Sequence, residues 1–135
     1  MKLRQKLVAF VATGLVGLAP AARAADLYVI ANAGTAISAS DVRDIFLGEK
    51  QFVGSVKLVP VDNAAAQDQF LAKVMKMEAA KYTSSWTKKS FRDGVSAPPV
   101  KGSDAETIEF VRQTPGAVGY VKSAPKDGIK VVDSQ

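Results

Sequence analysis

Short apolar runs alternate along the chain with segments in which apolar residues recur at helical spacing. Residues 27–30 read Leu-Tyr-Val-Ile, a continuous apolar run typical of a central strand that is covered on both faces. Residues 56–61 predict a second strand with a proline near its end. Residues 118–121 and 129–132 predict two further short strands.

The segments between these runs predict helices with recognisable start and stop signals. Ser38 or Ser40 is expected to cap the first helix, and Gly48 can end it in a left-handed conformation. Asp62 or Asn63 is expected to cap the second helix. Residues 78–88 predict a third helix, and a Ser-x-x-Glu capping box at 103–106 predicts the start of a fourth; Thr-Pro-Gly-Ala at 114–117 matches a type II turn.

Alternating strands and helices predict an α/β fold class, with a mixed, mostly parallel sheet flanked by helices. Neither an internal repeat nor a linker divides residues 25–135, and 111 residues are enough to bury the core of one domain. We therefore expect a single domain over 25–135.

The first 24 residues have the pattern of a secretory signal peptide. Three basic residues within 1–6 precede the apolar run 7–18, and Ala-Arg-Ala at 22–24 is a small-x-small cleavage site. The alternative is a membrane anchor, but the run is short for a bilayer core of about 30 Å. We expect cleavage after Ala24, a periplasmic location and no membrane insertion afterwards.

Removal of this segment changes the charge of the protein. Four of the 18 basic residues and none of the 13 acidic residues fall within 1–24, which leaves 14 basic against 13 acidic residues. A net charge of +1 provides no concentrated basic surface for a nucleic acid or an anionic membrane. We expect neither as a partner.

The chain has no cysteine and no histidine. Disulfides are therefore absent, thiolate and imidazole ligands for zinc or copper are lacking, and no metal or other cofactor is expected. The usual catalytic bases and nucleophiles are reduced to Ser, Thr, Lys, Tyr, Asp and Glu, and neither a G-x-S-x-G elbow nor a P-loop is present. We expect a protein that is not an enzyme; a hydrolase using Ser38 and a lysine is the weakest alternative.

Binding of an anion is the better supported chemistry. Three loops, at 34–40, 62–67 and 101–104, precede predicted helices and could offer backbone N–H groups to an oxyanion. The plain alternative is that their polar side chains only cap the helices. Lys88, Lys89 and Arg92 form the one local excess of positive charge, which also suits a solvated helix end.

Four segments together resemble the phosphate-binding proteins of ABC importers. They are SASDVRDIFLGEKQFV at 38–53, VKLVPVDN at 56–63 with QDQFLAKVM at 67–75, the stretch from Trp86 to Pro98, and TPGAVGYV at 114–121. The resemblance covers about residues 26–132. It implies a type II periplasmic-binding-protein fold in a short, single-lobe version, and it implies phosphate and an ABC permease as possible partners.

The loop that matches the phosphate loop of these receptors departs from the family pattern. Phosphate receptors carry an arginine and a Ser-Gly-Thr run in this loop, whereas residues 61–66 here read Val-Asp-Asn-Ala-Ala-Ala. Loss of these donors removes charged hydrogen bonds of about 1.5–3 kcal/mol each. We expect at most weak binding of a small anion such as phosphate; the alternative is a ligand-free interaction or regulatory module of the cell envelope. The tentative site consists of Ser38, Ser40, Asn63, Ala64, Ala65, Ala66 and Gln67.

Overall fold

A computed structural model describes residues 25–125 and 127–135, so the predicted signal peptide lies outside the described residues. The main sheet has four strands in the order β4-β7-β1-β8. These strands are β1 (Tyr28–Asn32), β4 (Val59–Pro60), β7 (Ala117–Val121) and β8 (Ile129–Ser134). Two small two-stranded sheets pair β2 (Phe52–Val53) with β3 (Val56–Lys57), and β5 (Asp62–Asn63) with β6 (Val100–Lys101).

The main sheet is mixed, as predicted. β4 pairs parallel with β7, whereas β1 pairs antiparallel with both β7 and β8. Three of the four strands therefore run in one direction. Because the opposed strand β1 lies between β7 and β8, two of the three pairings are nevertheless antiparallel. The central, doubly covered position predicted for residues 27–30 is confirmed.

The single strand predicted over 56–61 is wrong. The segment divides between β3 in a hairpin and β4 in the main sheet, and the two residues that follow it form β5 in the third sheet. Val61 donates its N–H to the carbonyl of Val118, and the next residue, Asp62, donates to the carbonyl of Pro99. The chain therefore changes its pairing partner between these residues, and a continuous apolar pattern carries no information about such a change.

Four helices of the described residues flank the sheet. They are α1 (Val42–Phe46), preceded by a 3-10 turn over Ala39–Asp41; α2 (Gln67–Phe70), continued by a π-helical turn over Leu71–Met75; α3 (Ala79–Asp93); and α4 (Asp104–Gln113). Gly48 has φ +74° after α1, as predicted, and Gly94 ends α3 with φ +69°. Within the described residues, no helix combines the length and the apolar character needed to cross a membrane.

Alternate residues of the central strands point to opposite sides of the sheet. Val29 and Tyr120 belong to a core shared with α1, α2 and α3, whereas Ile30 and Val121 pack with Val111 of α4. The fold thus has three layers, with the sheet in the middle.

The tight turn before β7 has the predicted type II features. Ala117 donates its N–H to the carbonyl of Thr114, and Gly116 has φ +84°. A Cβ at Gly116 would lie 2.1 Å from the carbonyl oxygen of Lys57. Glycine is therefore required here by both the backbone angle and the close approach of the neighbouring segment.

Candidate functional site

A groove runs between α3 and the segment 97–100, and we call it the α3 groove. Its volume is about 650 Å3. One wall is a face of α3, the other is the 97–100 segment, and Asp62 and Gln67 lie between them. Its lining residues are Asp62, Gln67, Tyr82, Thr83, Trp86, Thr87, Ser90, Phe91, Ala97, Pro98 and Val100.

Asp62 and Tyr82 form the floor of this groove, and the fully buried Tyr120 supports Asp62 by a hydrogen bond without lining the groove itself. Asp62 is only 3% exposed. The Tyr82 hydroxyl lies 2.9 Å from Oδ2 and 3.2 Å from Oδ1 of Asp62. The Tyr120 hydroxyl donates to Oδ1 at 2.7 Å. Three segments far apart in sequence, β5, α3 and β7, therefore meet at one carboxyl group.

Burial dominates the electrostatics of this floor. It raises the pKa of Asp62 above the ordinary value, although the tyrosine hydrogen bonds oppose the shift. Burial and the nearby carboxylate also raise the pKa of both Tyr82 and Tyr120, so both phenols keep their protons. The tyrosines thus act as hydrogen-bond donors to Asp62 and not as bases.

Aromatic packing fixes the floor from below. The rings of Tyr120 and Phe70 stack with centroids 3.9 Å apart and an interplanar angle of 3°. Phe46 packs on both rings at 4.8 and 5.7 Å. The Trp86 indole donates to the carbonyl of Phe46 at 2.9 Å. Trp86 belongs to the buried core, as predicted, and it also lines the groove.

One aromatic residue at the groove is almost fully in solvent. Phe91 is 95% exposed, although it lies on the same helix as the buried Tyr82 and Trp86. Val100, across the groove, is 60% exposed. The groove is therefore bordered by large apolar side chains that the described part of the chain does not cover.

The predicted anion loop at 62–67 has a different structure from the one expected. Asp62 and Asn63 do not cap α2, because both pair with β6 as strand β5. The N-cap of α2 is Ala66, which provides no side-chain acceptor, and α2 itself has four residues. Such a short helix adds little dipole to an anion site.

The side chain of Asn63 is fully engaged inside the protein. The residue is 0% exposed. Its Nδ2 donates to the carbonyl of Tyr120 at 2.9 Å and to Oδ1 of Asp104 at 2.8 Å, and its Oδ1 accepts from the N–H of Ala65 at 3.0 Å. Of the other predicted residues here, Ala64 and Ala65 are exposed, Ala66 is buried and Gln67 is half-buried at the groove.

The loop at 34–40 is capped by its own acidic residue. Oδ2 of Asp41 accepts from the N–H of Ser38 at 3.0 Å and lies 3.2 Å from its hydroxyl. This backbone hydrogen bond lowers the pKa of Asp41. The hydroxyls of Ser38 and Ser40 lie 3.0 Å apart and both residues are exposed. Ser38 is therefore the N-cap of the 3-10 turn, one of the two capping residues that the sequence predicts, whereas Ser40 lies inside that turn.

The loop at 101–104 is also occupied by acidic side chains. Oδ2 of Asp104 accepts from the backbone N–H groups of Lys122 and Ser123 and from the Ser123 hydroxyl. The hydroxyl of Ser103 accepts from the N–H of Glu106, as predicted for a capping box. The Glu106 carboxylate, however, accepts from Gly102 N–H at 3.0 Å instead of closing the box on Ser103.

The two parts of the tentative site are anchored at opposite ends of β7. The loop with Ser38 and Ser40 is tied to the start of β7, where the Gly116 N–H donates to the Thr35 hydroxyl at 3.1 Å. Asn63 is tied to Tyr120, four residues further, or about 13 Å along a strand. No hydrogen bond among the described residues joins the serines to 63–67. The predicted pairing of these loops around one anion has no contact to support it.

The residues of the groove floor were not predicted as a site. Asp62 was expected to cap a helix and Trp86 to pack in the core, while Tyr120 was only part of a strand. The one available signal was Tyr82 and Trp86 at i and i+4 on α3, which indicates a shared helix face but not what lies opposite.

The basic cluster lies on another face of α3. Lys88, Lys89 and Arg92 border a shallow depression of about 250 Å3, separate from the α3 groove. Arg92 and Lys89 both pair with Asp93, at 3.0 and 3.6 Å. Within 25–125 and 127–135, no group of three or more acidic, histidine or cysteine residues is placed to hold a metal ion.

Two solved structures are similar to this fold over part of their length. One is the crystal structure of an ABC-type phosphate transport receptor from Vibrio cholerae, with a TM-score of 0.49 and 17% identity over 81% of this chain and 46% of that chain. The other is PstS from Borrelia burgdorferi, with a TM-score of 0.46 and 18% identity over 72% of this chain and 40% of that chain. This chain spans less than half of either structure. No protein-family model and no curated protein matches it.

Proposed function

We propose that this protein is a non-catalytic binding module of the cell envelope that holds a small organic solute in the α3 groove. The observation that carries the proposal is the make-up of the groove. It is concave, about 650 Å3 in volume, and lined mainly by aromatic and aliphatic side chains, with a few polar groups at Asp62, Gln67 and the hydroxyls of α3. Small-molecule sites in proteins have this size and this composition.

The geometry disfavours a phosphate-type anion site. At 34–40 the backbone N–H of Ser38 already donates to Asp41, and at 101–104 the backbone N–H of Gly102 already donates to Glu106. At 62–67, the buried carboxyl group is Asp62 and the Asn63 amide is engaged by the protein. An added anion would have to displace these bonds and approach negative charge. Anion binding at the tentative residues is thus the weaker candidate.

The chemistry of the groove supports binding over catalysis. Two of its hydroxyls are engaged with the backbone, since Thr87 donates to the carbonyl of Thr83 and Ser90 donates to the carbonyl of Val95. Its carboxyl group, Asp62, accepts from two phenols and activates none of these hydroxyls. A nucleophile paired with a base, which hydrolytic catalysis requires, is not formed by the described groove residues.

The proposal includes export through the 1–24 segment, so that the module is located in the periplasm. The proposed partner is an ABC permease that takes up the solute, or another envelope protein that binds the module. The exposed Phe91 beside the groove is the residue that such a partner would contact first.

The proposal is tested with the protein recovered after expression of the full chain in a bacterium that exports it. An intact mass that corresponds to a chain starting at Ala25 supports export. Amide chemical shifts are then followed against a panel of small neutral, cationic and anionic organic solutes. We expect saturable shifts in α3 and 97–100, whereas shifts confined to 38–40 and 63–67, or none with any solute, would contradict the proposed site.

Two variants of α3 sharpen this test. Thr87→Trp places a large ring in the groove and should abolish binding. Ser84→Trp is the matched control, because Ser84 is also exposed on α3 but borders the separate basic depression. Equal loss of binding in both variants would show that the solute does not occupy the groove.

A further inference from the structure

Asp62 is a buried carboxyl group without a counter-charge. Its hydrogen-bonding neighbours are neutral: the phenols of Tyr82 and Tyr120 and the side-chain amide of Gln67. Among the described residues no basic side chain forms an ion pair with it, and none lines the α3 groove. Buried carboxylates in proteins are normally paired with a cation, or they take up a proton.

The arrangement leaves one part of the carboxylate for another donor. Oδ1 lies 3.2 Å from the Tyr82 hydroxyl and 2.7 Å from the Tyr120 hydroxyl, and Oδ2 lies 2.9 Å from the Tyr82 hydroxyl. The side chain of Gln67 is the third hydrogen-bonding neighbour of the carboxylate. A carboxylate has about four acceptor positions, so three donors leave one of them, and Asp62 forms part of the groove lining.

The walls above Asp62 are suited to a cation with an apolar body. Trp86, Phe91 and the ring of Tyr82 all line the groove. Aromatic faces attract ammonium groups by about 0.5–2 kcal/mol, more when water is excluded. Alkyl or aryl portions of a ligand would be covered by Pro98 and Val100 on the opposite wall.

We propose that the solute of the α3 groove is a small organic ammonium compound, whose ammonium group donates to the Asp62 carboxylate while its apolar part lies against the aromatic wall. This inference rests on the proposed function and adds the chemical class of the ligand. A purely structural role for Asp62, in which it only joins β5 to α3 and β7, does not require any response to a cation.

Three probes of similar size separate these possibilities: 2-phenylethylammonium, 2-phenylethanol and phenylacetate. Each is titrated into the protein by calorimetry and by amide chemical shifts. We expect the ammonium probe to bind about tenfold or more tightly than the alcohol, and phenylacetate to bind least. Equal affinity of ammonium and alcohol in the groove would overturn the ammonium inference but leave the proposed function in place.

The variant Asp62→Asn removes the charge at nearly constant volume. It should weaken binding of 2-phenylethylammonium about tenfold and leave 2-phenylethanol unchanged. If this variant does not fold, the three probes are compared in the unaltered protein, in Thr87→Trp and in Ser84→Trp. That comparison still decides whether the groove prefers an ammonium group. Absence of binding by the ammonium probe overturns the inference, and absence of binding by every solute of the wider panel overturns the proposed function as well.

Discussion

The Tyr120 hydroxyl lies 2.7 Å from Oδ1 of Asp62, and this hydrogen bond joins the centre of the main sheet to strand β5. The two residues are 58 positions apart in the sequence. Since Tyr120 also stacks on Phe70, the bond connects the groove floor to the aromatic core. The position of the carboxyl group is therefore set by the packing of the domain and not by its own loop.

Tyr120→Phe should destabilise the protein by about 1.5–3 kcal/mol, because it removes a buried hydrogen bond to a carboxyl group and keeps the ring. Tyr28→Phe is the matched control. Tyr28 lies on the neighbouring strand β1 and its hydroxyl has no hydrogen bond to a described residue, so its loss should change the free energy of unfolding by less than about 0.5 kcal/mol. Urea unfolding measures both, and equal effects would show that the Tyr120–Asp62 bond contributes nothing.

The raised pKa of Asp62 predicts a pH dependence of stability. In the unfolded chain this carboxyl titrates near 3.8, and in the folded protein burial moves its pKa higher. Between these values the folded protein binds more protons than the unfolded chain, so the stability contributed by Asp62 is present below 3.8 and lost as pH rises through the folded pKa. Relative to Asp62→Asn, which does not titrate, the free energy of unfolding should fall as pH rises.

Asp104→Asn provides a control of opposite sign. Burial alone would raise the pKa of Asp104, but hydrogen bonds from Asn63, Ser123 and the Lys122 N–H outweigh it and hold the pKa below 3.8. The stability that Asp104 contributes is therefore present above 3.8 and lost as pH falls through the folded pKa. Urea unfolding of both variants from about pH 3 to 8 should show the two opposite trends, and a shared trend would contradict these pKa directions.

Gly116→Ala should destabilise the protein by about 2–5 kcal/mol, since it adds strain at φ +84° to a clash with the Lys57 carbonyl. Gly94→Ala measures the cost of the backbone strain without a clash. Gly94 has φ +69° but no atom within 4 Å of a new Cβ, so its cost should stay near 1–2 kcal/mol, at about the level of strain alone. Thermal unfolding compares the two; similar losses would mean that the segment at Lys57 moves aside without cost.

Phosphate and sulfate should leave the unfolding temperature unchanged when compared with chloride at the same ionic strength. The reason is that Asp41 already accepts from the Ser38 N–H and Glu106 already accepts from the Gly102 N–H, so acidic side chains occupy hydrogen bonds that an anion would use. A ligand at about 100 times its dissociation constant adds about 2.7 kcal/mol, which is several degrees for a domain of about this size. A shift of that size with phosphate alone would restore the anion site predicted from the sequence.

Features that depend on neighbouring residues were predictable. The apolar run 27–30 is the central strand, Gly48 ends α1 with a positive φ, and the turn at 114–117 has the expected hydrogen bond. The helix predicted over 78–88 is α3, which extends to Asp93. Each of these follows from sterics, capping or periodicity within a few residues.

The sequence by itself therefore determined the α/β layering, most helix and strand positions and the local turns. Only the tertiary structure decided that residues 56–63 divide among three sheets, and that Asp62 lies inside the protein beside two tyrosines. The physical reason is distance along the chain. An aspartate after an apolar run has the same local propensity whether it caps a helix or enters the core, and its environment depends on Tyr82 and Tyr120, which are 20 and 58 residues away.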